Sequence, residues 1–556
     1  MAKKVLRRTR YQIKDKQELN IHLTSLSGER ILGKVREVSS TGLSFELQVA
    51  SEELPVLKDQ VLSEGKLVWE ANEWAFGRSV VKFVHKSESK VTLGIMFIDS
   101  HAPIEGPLSK CFKMNLEGNM AKSELEYSSD NSSLADFLGK DDGSVDIFNK
   151  AKKYHFYHNS LQKSVRWGYW IPREPSKGIR VTLTKKRSDG RNDFIVMSSN
   201  DYLGLSARPE VVEATKIALD KYGFGATGSP ITCGQTEEHE RLQETLSRMF
   251  RTEATTLFNS GYAANIGLIS SLVGPNDLVI ADILSHASIY DGMQLSQGVK
   301  RFFKHNDMDH LEKVLSRTRY ESNGCLIVAE GVFSMDGDAA PLNDIVSLAK
   351  KYDARVMIDE AHSFGVLGKN GLGLSEESNL LGGIDLTMGT FSKICGTIGG
   401  FACGSKELID WLNVSARSVF FSVALPPSTV AATNKSLELF QSEPQLLGKL
   451  RSNIEFFTSG LRKMGFDIPK DHKTAIVPVV IGDEEKLGKM YKILYDSGIY
   501  TIPVVYPAVS KNTCRFRFTV SAQHSLSDLD YALLVIKRAM EKVGLAPKEI
   551  ALKESA

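Results

Sequence analysis

The chain has 556 residues, of which 42% are hydrophobic and 24% charged, and its formal net charge is +2. This length predicts more than one domain, and the composition is ordinary for a globular protein. A net charge so close to zero argues against a protein built to bind nucleic acid. No uninterrupted apolar run reaches the roughly 18 residues of a membrane-spanning helix, and the basic opening stretch lacks the apolar core of a signal peptide. We therefore expect a cytoplasmic protein.

The first 120 residues carry short runs in which apolar and polar residues alternate, separated by turn residues. The runs are "ERILGKVREVS", "GLSFELQV", "KLVWEAN", "SVVKFVHK" and "KVTLGIMFI". This pattern predicts strands, and strands at this spacing predict a small antiparallel barrel or sandwich. The next stretch, 121–150, is rich in serine and aspartate and predicts a linker.

From residue 151 to residue 556 the pattern alternates between helical periodicity and short apolar runs. "RPEVVEATKIALDKYG" and "EEHERLQETLSRMF" predict helices, whereas "DLVIAD", "GCLIVAE", "ARVMIDE" and "IDLTMG" predict buried strands. Such alternation predicts an α/β domain with a mostly parallel sheet covered on both faces. We place the large domain at about 195–440 and a smaller C-terminal α+β lobe at about 441–545.

Several predicted strands end in polar residues, and such strand ends are where α/β folds bind their ligands. One strand runs through Asn259, Ser260, Gly261 and Tyr262 into a helix, and a helix that starts on small residues is a natural phosphate site. His286 follows another strand. Each signal alone is weak, because a histidine bonded within its own loop is the commoner case.

Asp359 directly follows the strand "VMI", and Lys393 lies 34 residues later in the small-residue turn "GTFSKICGTIGG". A buried aspartate is costly unless it meets a cation or a hydrogen-bond donor, and a protonated pyridine nitrogen is one such partner. A helix cap or a metal ligand is the alternative, but no third metal ligand is in view. An aspartate, a lysine and a phosphate-binding turn together favour pyridoxal 5'-phosphate (PLP), with Lys393 as the Schiff-base lysine.

The six cysteines show neither a CxxC pair nor a metal-ligand spacing. We predict reduced thiols and no metal site. They are Cys111, Cys233, Cys325, Cys395, Cys403 and Cys514.

Over about residues 154–543 the chain resembles the α-oxoamine synthases, which are PLP-dependent enzymes of fold type I. The motifs that carry the resemblance are "SNDYLGL", "YGFGATGSPITCGQTEEHERL", "SGYAAN", "SHASIYDG", "GVFSMDGDAAPL", "IDEAHSFGVLGKNGLG", "GTFSK", "FSVALPP" and "RFRFTVSAQH". Members of this family join an amino acid to an acyl thioester with loss of carbon dioxide.

The resemblance implies a role for each matching residue. Lys393, His286, Asp359 and His362 would be catalytic: the lysine binds PLP and acts at Cα, Asp359 pairs with the pyridine nitrogen, and His286 stacks on the ring. The remaining cofactor contacts implied are Ser260, Gly261, Tyr262, Ser334, Thr390, Ser392 and Ser422, with Ser422 reaching the phosphate of a neighbouring subunit in a homodimer. Arg517 would hold the substrate carboxylate with help from Asn200, and Arg515 is the neighbouring candidate that we set aside on register.

Within the family, "IDLTMGTFSK", "ARSVFFS" and "PVVYPAVS" most resemble bacterial serine palmitoyltransferases. This implies L-serine, a long-chain acyl thioester and a 3-ketosphinganine product. The sister activities, 8-amino-7-oxononanoate synthase and 2-amino-3-ketobutyrate CoA ligase, stay open. Pro230 stands where the family usually has an arginine, so the acyl carrier stays open between CoA and acyl carrier protein.

The N-terminal region resembles a PilZ domain, a receptor for cyclic di-GMP. Arg7, Arg8 and Arg10 precede a strand, and Ser39 and Gly42 lie in "EVSSTGLSF". The arginine spacing and Glu37 depart from the PilZ pattern, so a docking module that binds no nucleotide is the alternative. The basic arm also suits peripheral contact with an anionic inner-membrane surface. For the whole chain, a regulatory scaffold without turnover is the competing hypothesis, and the presence of Lys393 argues against it.

Overall fold

A computed structural model gives the fold. It describes residues 136–137, 147–163 and 168–545 and, before them, the backbone of strands between residues 11 and 97. The chain forms two compact units, residues 1–127 and residues 128–556. The predicted linker falls almost entirely outside the described residues.

The strands of the first unit form one antiparallel sheet. Their bounds are β1 Tyr11–Gln12, β2 Leu19–Ser25, β3 Arg30–Ser39, β4 Gly42–Leu47, β5 Val61–Trp69, β6 Asn72–Phe76, β7 Ser79–Ser87 and β8 Lys90–Phe97. The hydrogen-bonded order is β3-β2-β5-β7-β8-β4, and a further pairing of β4 with β3 closes the path. A sheet closed in this way is a barrel without free edges along that path.

The main sheet of the second unit has seven strands in the order β11-β17-β16-β15-β14-β12-β13. Their bounds are β11 Ala254–Phe258, β12 Leu278–Asp282, β13 Val299–Phe303, β14 Cys325–Glu330, β15 Arg355–Asp359, β16 Leu386–Thr390 and β17 Gly400–Gly404. All neighbours pair in parallel except β17, which runs antiparallel to both β11 and β16. The predicted mostly parallel sheet is confirmed.

The central strands are apolar throughout because both faces of the sheet are covered. In β12 and β14, Ile280 and Ile327 belong to the larger core cluster, while Val279 and Val328 belong to a second cluster on the opposite face. Alternate residues of one strand thus enter two different cores. This arrangement explains the continuous apolar runs in the sequence.

Helices lie around this sheet and in the C-terminal lobe. Helix Glu237–Phe250 begins with a capping box formed by Thr236 and His239, and it buries Leu242 and Leu246. No helix in the described residues is long and apolar enough to span a membrane. The helices are Asn149–Lys163, Pro209–Tyr222, Glu237–Phe250, Gly261–Leu272, Ala287–Leu295, Met308–Thr318, Leu342–Lys351, Leu374–Glu377, Lys406–Ser415, Arg417–Phe420, Pro427–Ser442, Gln445–Lys463, Glu484–Asp496 and Leu526–Lys542.

Two small sheets complete the second unit. One has the order β18-β21-β20 and the other the order β19-β10-β9. Their strands are β9 Arg180–Thr182, β10 Asp193–Val196, β18 Ile476–Val480, β19 Ile499–Tyr500, β20 Pro503–Val504 and β21 Arg515–Thr519. Because β10 pairs with β19, a segment early in the unit is tied to the C-terminal lobe.

Candidate active site

Most of the residues predicted to bind PLP lie at one edge of the main sheet. The parallel strands β11, β12, β14, β15 and β16 all end at this edge, because parallel strands share one polarity. Glu330 and Asp359 are the last residues of β14 and β15, and they are register partners. Lys393 lies in the turn that follows β16.

Asp359 is 5% exposed and is held from two sides. Asn265 Nδ2 donates to its Oδ2 at 2.8 Å, and the backbone N–H of Ala361 donates to its Oδ1 at 2.9 Å. These donors orient a carboxylate that water cannot reach freely. A carboxylate so placed can hold a cationic ring nitrogen.

Lys393 lies in a setting that favours the neutral amine. Burial lowers its pKa, and the positive charge of Arg517 adds to the effect, while Asp359 and Glu330 oppose it. The net direction is downward. A neutral amine is the form that attacks a carbonyl carbon, so Lys393 fits a covalent role toward an aldehyde.

The predicted phosphate turn forms the N-terminus of helix Gly261–Leu272. Ser260 caps the helix, and its hydroxyl accepts from the backbone N–H of Ala263 at 3.0 Å. Thr390 lies against Gly261, since a Cβ added to that glycine would be 3.0 Å from the Thr390 Cβ. Thr390 Oγ1 is also 2.9 Å from Ser392 Oγ. Hydroxyls and a helix N-terminus together suit a phosphate group.

His286 caps helix Ala287–Leu295. Its Nδ1 lies 2.7 Å from Ser288 Oγ, and its ring lies edge-on to that of Tyr262 with centroids 5.9 Å apart. Its backbone N–H donates to the carboxylate of Glu330. Burial lowers the pKa of His286, with Asp359 opposing and Lys393 adding to the shift. The imidazole is therefore held toward its neutral form.

His362 is buried, and its Nδ1 lies 2.7 Å from the Tyr202 hydroxyl. Burial lowers its pKa well below the usual value, and the nearby charge of Lys393 lowers it further. Burial also raises the pKa of Tyr202 to about 12, so the phenol keeps its proton. The pair places a neutral imidazole beside a hydroxyl donor.

The two candidate arginines on β21 have different partners. Arg515 forms an ion pair with Asp336 at 2.7 Å and is 6% exposed. Arg517 is half-buried and donates from both Nη atoms to Asn200 Oδ1 at 3.2 Å. Its Nε donates to the backbone carbonyl of Ser334. Because no acidic side chain pairs with Arg517 in the described part of the chain, the geometry favours Arg517 over Arg515 for a substrate carboxylate.

Ser422 lies beside the phosphate turn of its own chain. Asn259 Nδ2 donates to Ser422 Oγ at 2.6 Å and to the carbonyl of Val423 at 2.9 Å. The predicted contact of Ser422 with a neighbouring subunit stays a prediction. In the first unit, Ser39 and Gly42 are backbone partners of β3 and β4, while Arg7, Arg8 and Arg10 lie outside the described residues.

Four further residues belong to the site: Asn265, Ser288, Glu330 and Tyr202. Glu330 could have been found from sequence, because it ends the strand "CLIVAE" as Asp359 ends "RVMID". Burial and the charge of Asp359 raise the pKa of Glu330 well above its usual value. The other three, Asn265, Ser288 and Tyr202, lie within the quoted motifs beside residues whose chemistry is more distinctive.

These residues fit PLP. The turn and hydroxyls suit its phosphate, Asp359 suits its ring nitrogen, and Lys393 suits its aldehyde. No group of histidine, cysteine, aspartate or glutamate side chains within the described residues could hold a metal ion.

Comparison with known proteins supports a PLP-dependent enzyme. Residues 192–536 match the family described as aminotransferase class I and II. The chain belongs to this family. It is 42% identical over 356 residues to an 8-amino-7-oxononanoate synthase of Thermoanaerobacter pseudethanolicus, covering 64% of this chain and 89% of the relative.

Two solved structures are similar over the same region. A serine palmitoyltransferase of Sphingomonas wittichii matches at 32% identity and a TM-score of 0.69, covering 72% of this chain and all of that one. A variant serine palmitoyltransferase of S. paucimobilis with a bound PLP–myriocin aldimine matches at 34% identity and a TM-score of 0.68, with the same coverage. This member of the aminotransferase class I and II family is therefore a PLP-dependent acyltransferase of the α-oxoamine synthase type, with the fold-type I architecture.

Proposed function

We propose that the enzyme condenses L-serine with a long-chain acyl thioester and forms a 3-ketosphinganine-type product. The Cα of serine bonds to the acyl carbon, the thiol leaves, and the serine carboxyl leaves as carbon dioxide. The observation that carries the proposal is Arg517, which Asn200 holds within electrostatic reach of Lys393 and which has no acidic partner among the described residues. An arginine there recognises an α-carboxylate.

We assign a separate role in this reaction to each of four residues. PLP, when bound, supplies a ring that accepts the electron pair left at Cα. Asp359 would hold the ring nitrogen in its charged form, and Lys393, whose amine is held toward neutrality, would take the proton from Cα. Arg517 orients the carboxylate so that the bond to be broken aligns with the ring. His286, whose pKa is lowered by burial, would contact the bound cofactor and is held toward its neutral form, so it would add little competing charge.

A second candidate is the condensation of L-alanine with a pimeloyl thioester. It is favoured by the 42% identity to proteins named 8-amino-7-oxononanoate synthase, which exceeds the 34% identity to serine palmitoyltransferase structures. Both candidates use the same residues and differ in the amino-acid side chain and the acyl group. Pro230 leaves the acyl carrier as CoA or acyl carrier protein.

The test is an absorbance titration of the PLP-loaded protein with L-serine, L-alanine and glycine. Palmitoyl-CoA or pimeloyl-CoA, and the matching acyl carrier proteins, are then added and the product mass is read. A saturable response to serine followed by a 3-ketosphinganine mass supports the first candidate. A response to alanine with an 8-amino-7-oxononanoate mass moves the enzyme to the second, and no response to any amino acid overturns both.

We also propose that the enzyme is a homodimer. Large apolar side chains are exposed on both sides of Ser422: Phe421 is 71% and Val423 51% exposed. Trp411 and Val414, on helix Lys406–Ser415, are 55% and 51% exposed. Side chains of this kind clustered beside a site favour contact with a second copy of the chain.

For the N-terminal unit we propose a PilZ-like barrel that binds cyclic di-GMP. The closed antiparallel sheet and the β3–β4 pairing at Ser39 and Gly42 are compatible with it. Labelled nucleotide should bind the full chain, and replacing Arg7, Arg8 and Arg10 by alanine should abolish binding. If wild-type protein shows no affinity at micromolar concentration, the barrel is a docking module, and anionic vesicles then test the basic arm for membrane contact.

A further inference from the structure

A continuous line of hydrogen bonds connects Asp359 to His286 through Asn265 and Ser288. Asn265 Nδ2 lies 2.8 Å from Asp359 Oδ2 and 2.9 Å from Ser288 Oγ. Ser288 Oγ lies 2.7 Å from His286 Nδ1. The line joins the end of β15 to the loop after β12 by way of helix Gly261–Leu272.

The direction of each hydrogen bond follows from the chemistry of the groups. A carboxylate only accepts, so Asn265 must present its NH₂ group, not its oxygen, to Asp359. The second hydrogen of that NH₂ points at Ser288 Oγ. Turning the amide over would place its oxygen against the carboxylate.

Because Ser288 Oγ accepts from Asn265, its own hydrogen is available to donate to His286 Nδ1. The backbone N–H of Ser288 also points at Nδ1, at 3.3 Å. Two donors aimed at one ring nitrogen require that nitrogen to be unprotonated. The proton of the neutral ring therefore sits on Nε2.

The two connecting residues of the line are sealed from solvent, while His286 at its end is exposed. Asn265 is 1% exposed and Ser288 is 0% exposed, so water does not compete for these bonds. The Oδ1 atom of Asn265 is buried and has no hydrogen-bond partner in the part of the chain that the structure describes. An amide kept here despite an unsatisfied oxygen is held for its two donors, and a buried apolar residue would serve if packing alone mattered.

We propose that Asn265 and Ser288 are positioning residues: Asn265 orients the Asp359 carboxylate, and the two together hold His286 in the Nε2–H tautomer. The inference rests on the proposed roles of Asp359 and His286 toward PLP. It predicts that the carboxylate under the ring nitrogen and the imidazole against the ring are set as one unit. Disturbing either connecting residue should then disturb both.

The first experiment measures the tautomer of His286 by ¹⁵N NMR of the PLP-free protein labelled at histidine. The His286 signals are those absent from the His286→Asn variant. Wild type should show Nδ1 as an acceptor, and Ser288→Ala should raise the Nδ1–H population about fivefold, the ratio that one hydrogen bond of ordinary strength supports. Asn265→Ala and Asn265→Ser should also raise the Nδ1–H population. The double variant Asn265→Ala/Ser288→Ala should raise it no further than Ser288→Ala does.

Ser296→Ala is the matched control. Ser296 directly follows helix Ala287–Leu295, which contains Ser288. It is 4% exposed and donates to the carbonyl of Met293 at 2.7 Å, away from the line. It should leave the tautomer unchanged. A wild-type Nδ1–H tautomer, or an unchanged tautomer in Ser288→Ala, overturns the inference.

The second experiment reads the orientation of bound PLP as the ratio of visible circular dichroism to absorbance. Asn265→Ala should lower this ratio several-fold at full PLP occupancy, whereas Ser270→Ala, on the same helix, should not. Equal ratios in wild type and Asn265→Ala overturn the role of Asn265. If wild type binds no PLP, the proposed function fails, and the NMR measurement still decides the tautomer.

Discussion

Lys393 is singled out by its surroundings more than by its own chemistry. It is one of many lysines, but its pKa is lowered by burial, and Asp359 and Arg517 lie within electrostatic reach. Small residues on both sides allow a cofactor to approach its amine. These features distinguish it from lysines such as Lys406, whose side chain is 64% exposed and paired with Asp410.

We expect Lys393→Ala to lower kcat by at least about 10³-fold, since it removes both a covalent anchor and a general base. The variant should still bind PLP noncovalently, so its visible absorbance should disappear on dialysis while wild type keeps its colour. Lys406→Ala should match wild type in both respects. Full turnover in Lys393→Ala would contradict the assignment.

Arg517 and Arg515 allow a matched comparison on one strand. Arg517→Lys should raise KM for the amino acid roughly ten- to hundredfold, since a hydrogen bond to a charged group is worth about 1.5–3 kcal/mol. Arg515→Lys disturbs a partly buried ion pair with Asp336 and should lower the melting temperature, with little effect on KM. Steady-state kinetics and thermal melts separate the two. A larger KM effect at Arg515 would reverse the choice.

The sequence singles out residues whose chemistry contrasts with that of their immediate neighbours. Asp359 follows an apolar strand and Lys393 sits among small residues, so each contrasts with its surroundings. Asn265 does not contrast with its neighbours. It is the last residue of "SGYAAN", whose first residues indicate a phosphate turn, and it lies one helical turn beyond them. Its role depends on reaching a strand 94 residues away in the chain, which only the fold reveals.

Strand β17 lies between the two strands that lead into the turns proposed to bind the PLP phosphate. It pairs with β11 on one side and with β16 on the other. A Cβ added to Gly400 would lie 2.7 Å from the carbonyl oxygen of Ser260 and 2.9 Å from the amide nitrogen of Gly261. Only glycine lets this strand approach the phosphate turn so closely.

We therefore expect Gly400→Ala to displace the turn and weaken PLP binding about tenfold or more, as a loss of at least about 1.4 kcal/mol implies. Gly404→Ala is the control at the other end of β17, where the nearest atoms to an added Cβ are 3.2 Å away. PLP titrations of both apoproteins give the comparison. Equal affinities in Gly400→Ala and wild type would show that the turn tolerates the methyl group.

The loops after β12, β13 and β14 are tied together by His305. Its Nδ1 lies 3.1 Å from Asp282 and its Nε2 lies 2.8 Å from Asp338. Burial alone would lower the pKa of His305, but the hydrogen bonds and charges of the two aspartates outweigh it and raise the pKa to about 10. The imidazolium thus braces the loops that carry His286 and Ser334.

A raised pKa means that folding binds this proton more tightly than the unfolded chain does. The stabilisation is fully present below the unfolded value near 6.5 and is lost as the pH rises through about 10. The free energy of unfolding should fall by on the order of 3 kcal/mol from pH 7 to pH 10. His305→Gln should flatten this slope in denaturant titrations, whereas His310→Gln should not. A slope unchanged in His305→Gln would locate it elsewhere.

The helices and strands whose apolar residues recur with a clear period were predicted with nearly the observed bounds. Helix Glu237–Phe250 coincides with the predicted run "EEHERLQETLSRMF". Strands β13 and β17 were not predicted: "VKRFF" is an edge strand with mixed exposure, and "GFACG" is too rich in glycine to resemble a strand. Close approach to the phosphate turn requires the first of those glycines, and that requirement is invisible in a single segment.

The proposed homodimer makes a prediction for the whole molecule. Phe421 is 71% exposed, so Phe421→Asp should cost a monomer little but place a charge at the proposed interface. Sedimentation velocity should then show a monomer, with activity lost in parallel. Tyr320→Asp, at a side chain 76% exposed but outside the proposed interface, should stay dimeric. A monomeric wild-type enzyme with full activity would contradict the proposal.

The position of β17 in the chain has a consequence for synthesis. By the time residue 399 has been translated, Ser260, His286, Asp359 and Lys393 are all present, yet the strand that joins β11 to β16 is not. Arg517 follows more than a hundred residues later. A nascent chain therefore carries nearly every chemical group of the site long before it can assemble one, and cofactor capture must wait until the enzyme domain is almost complete.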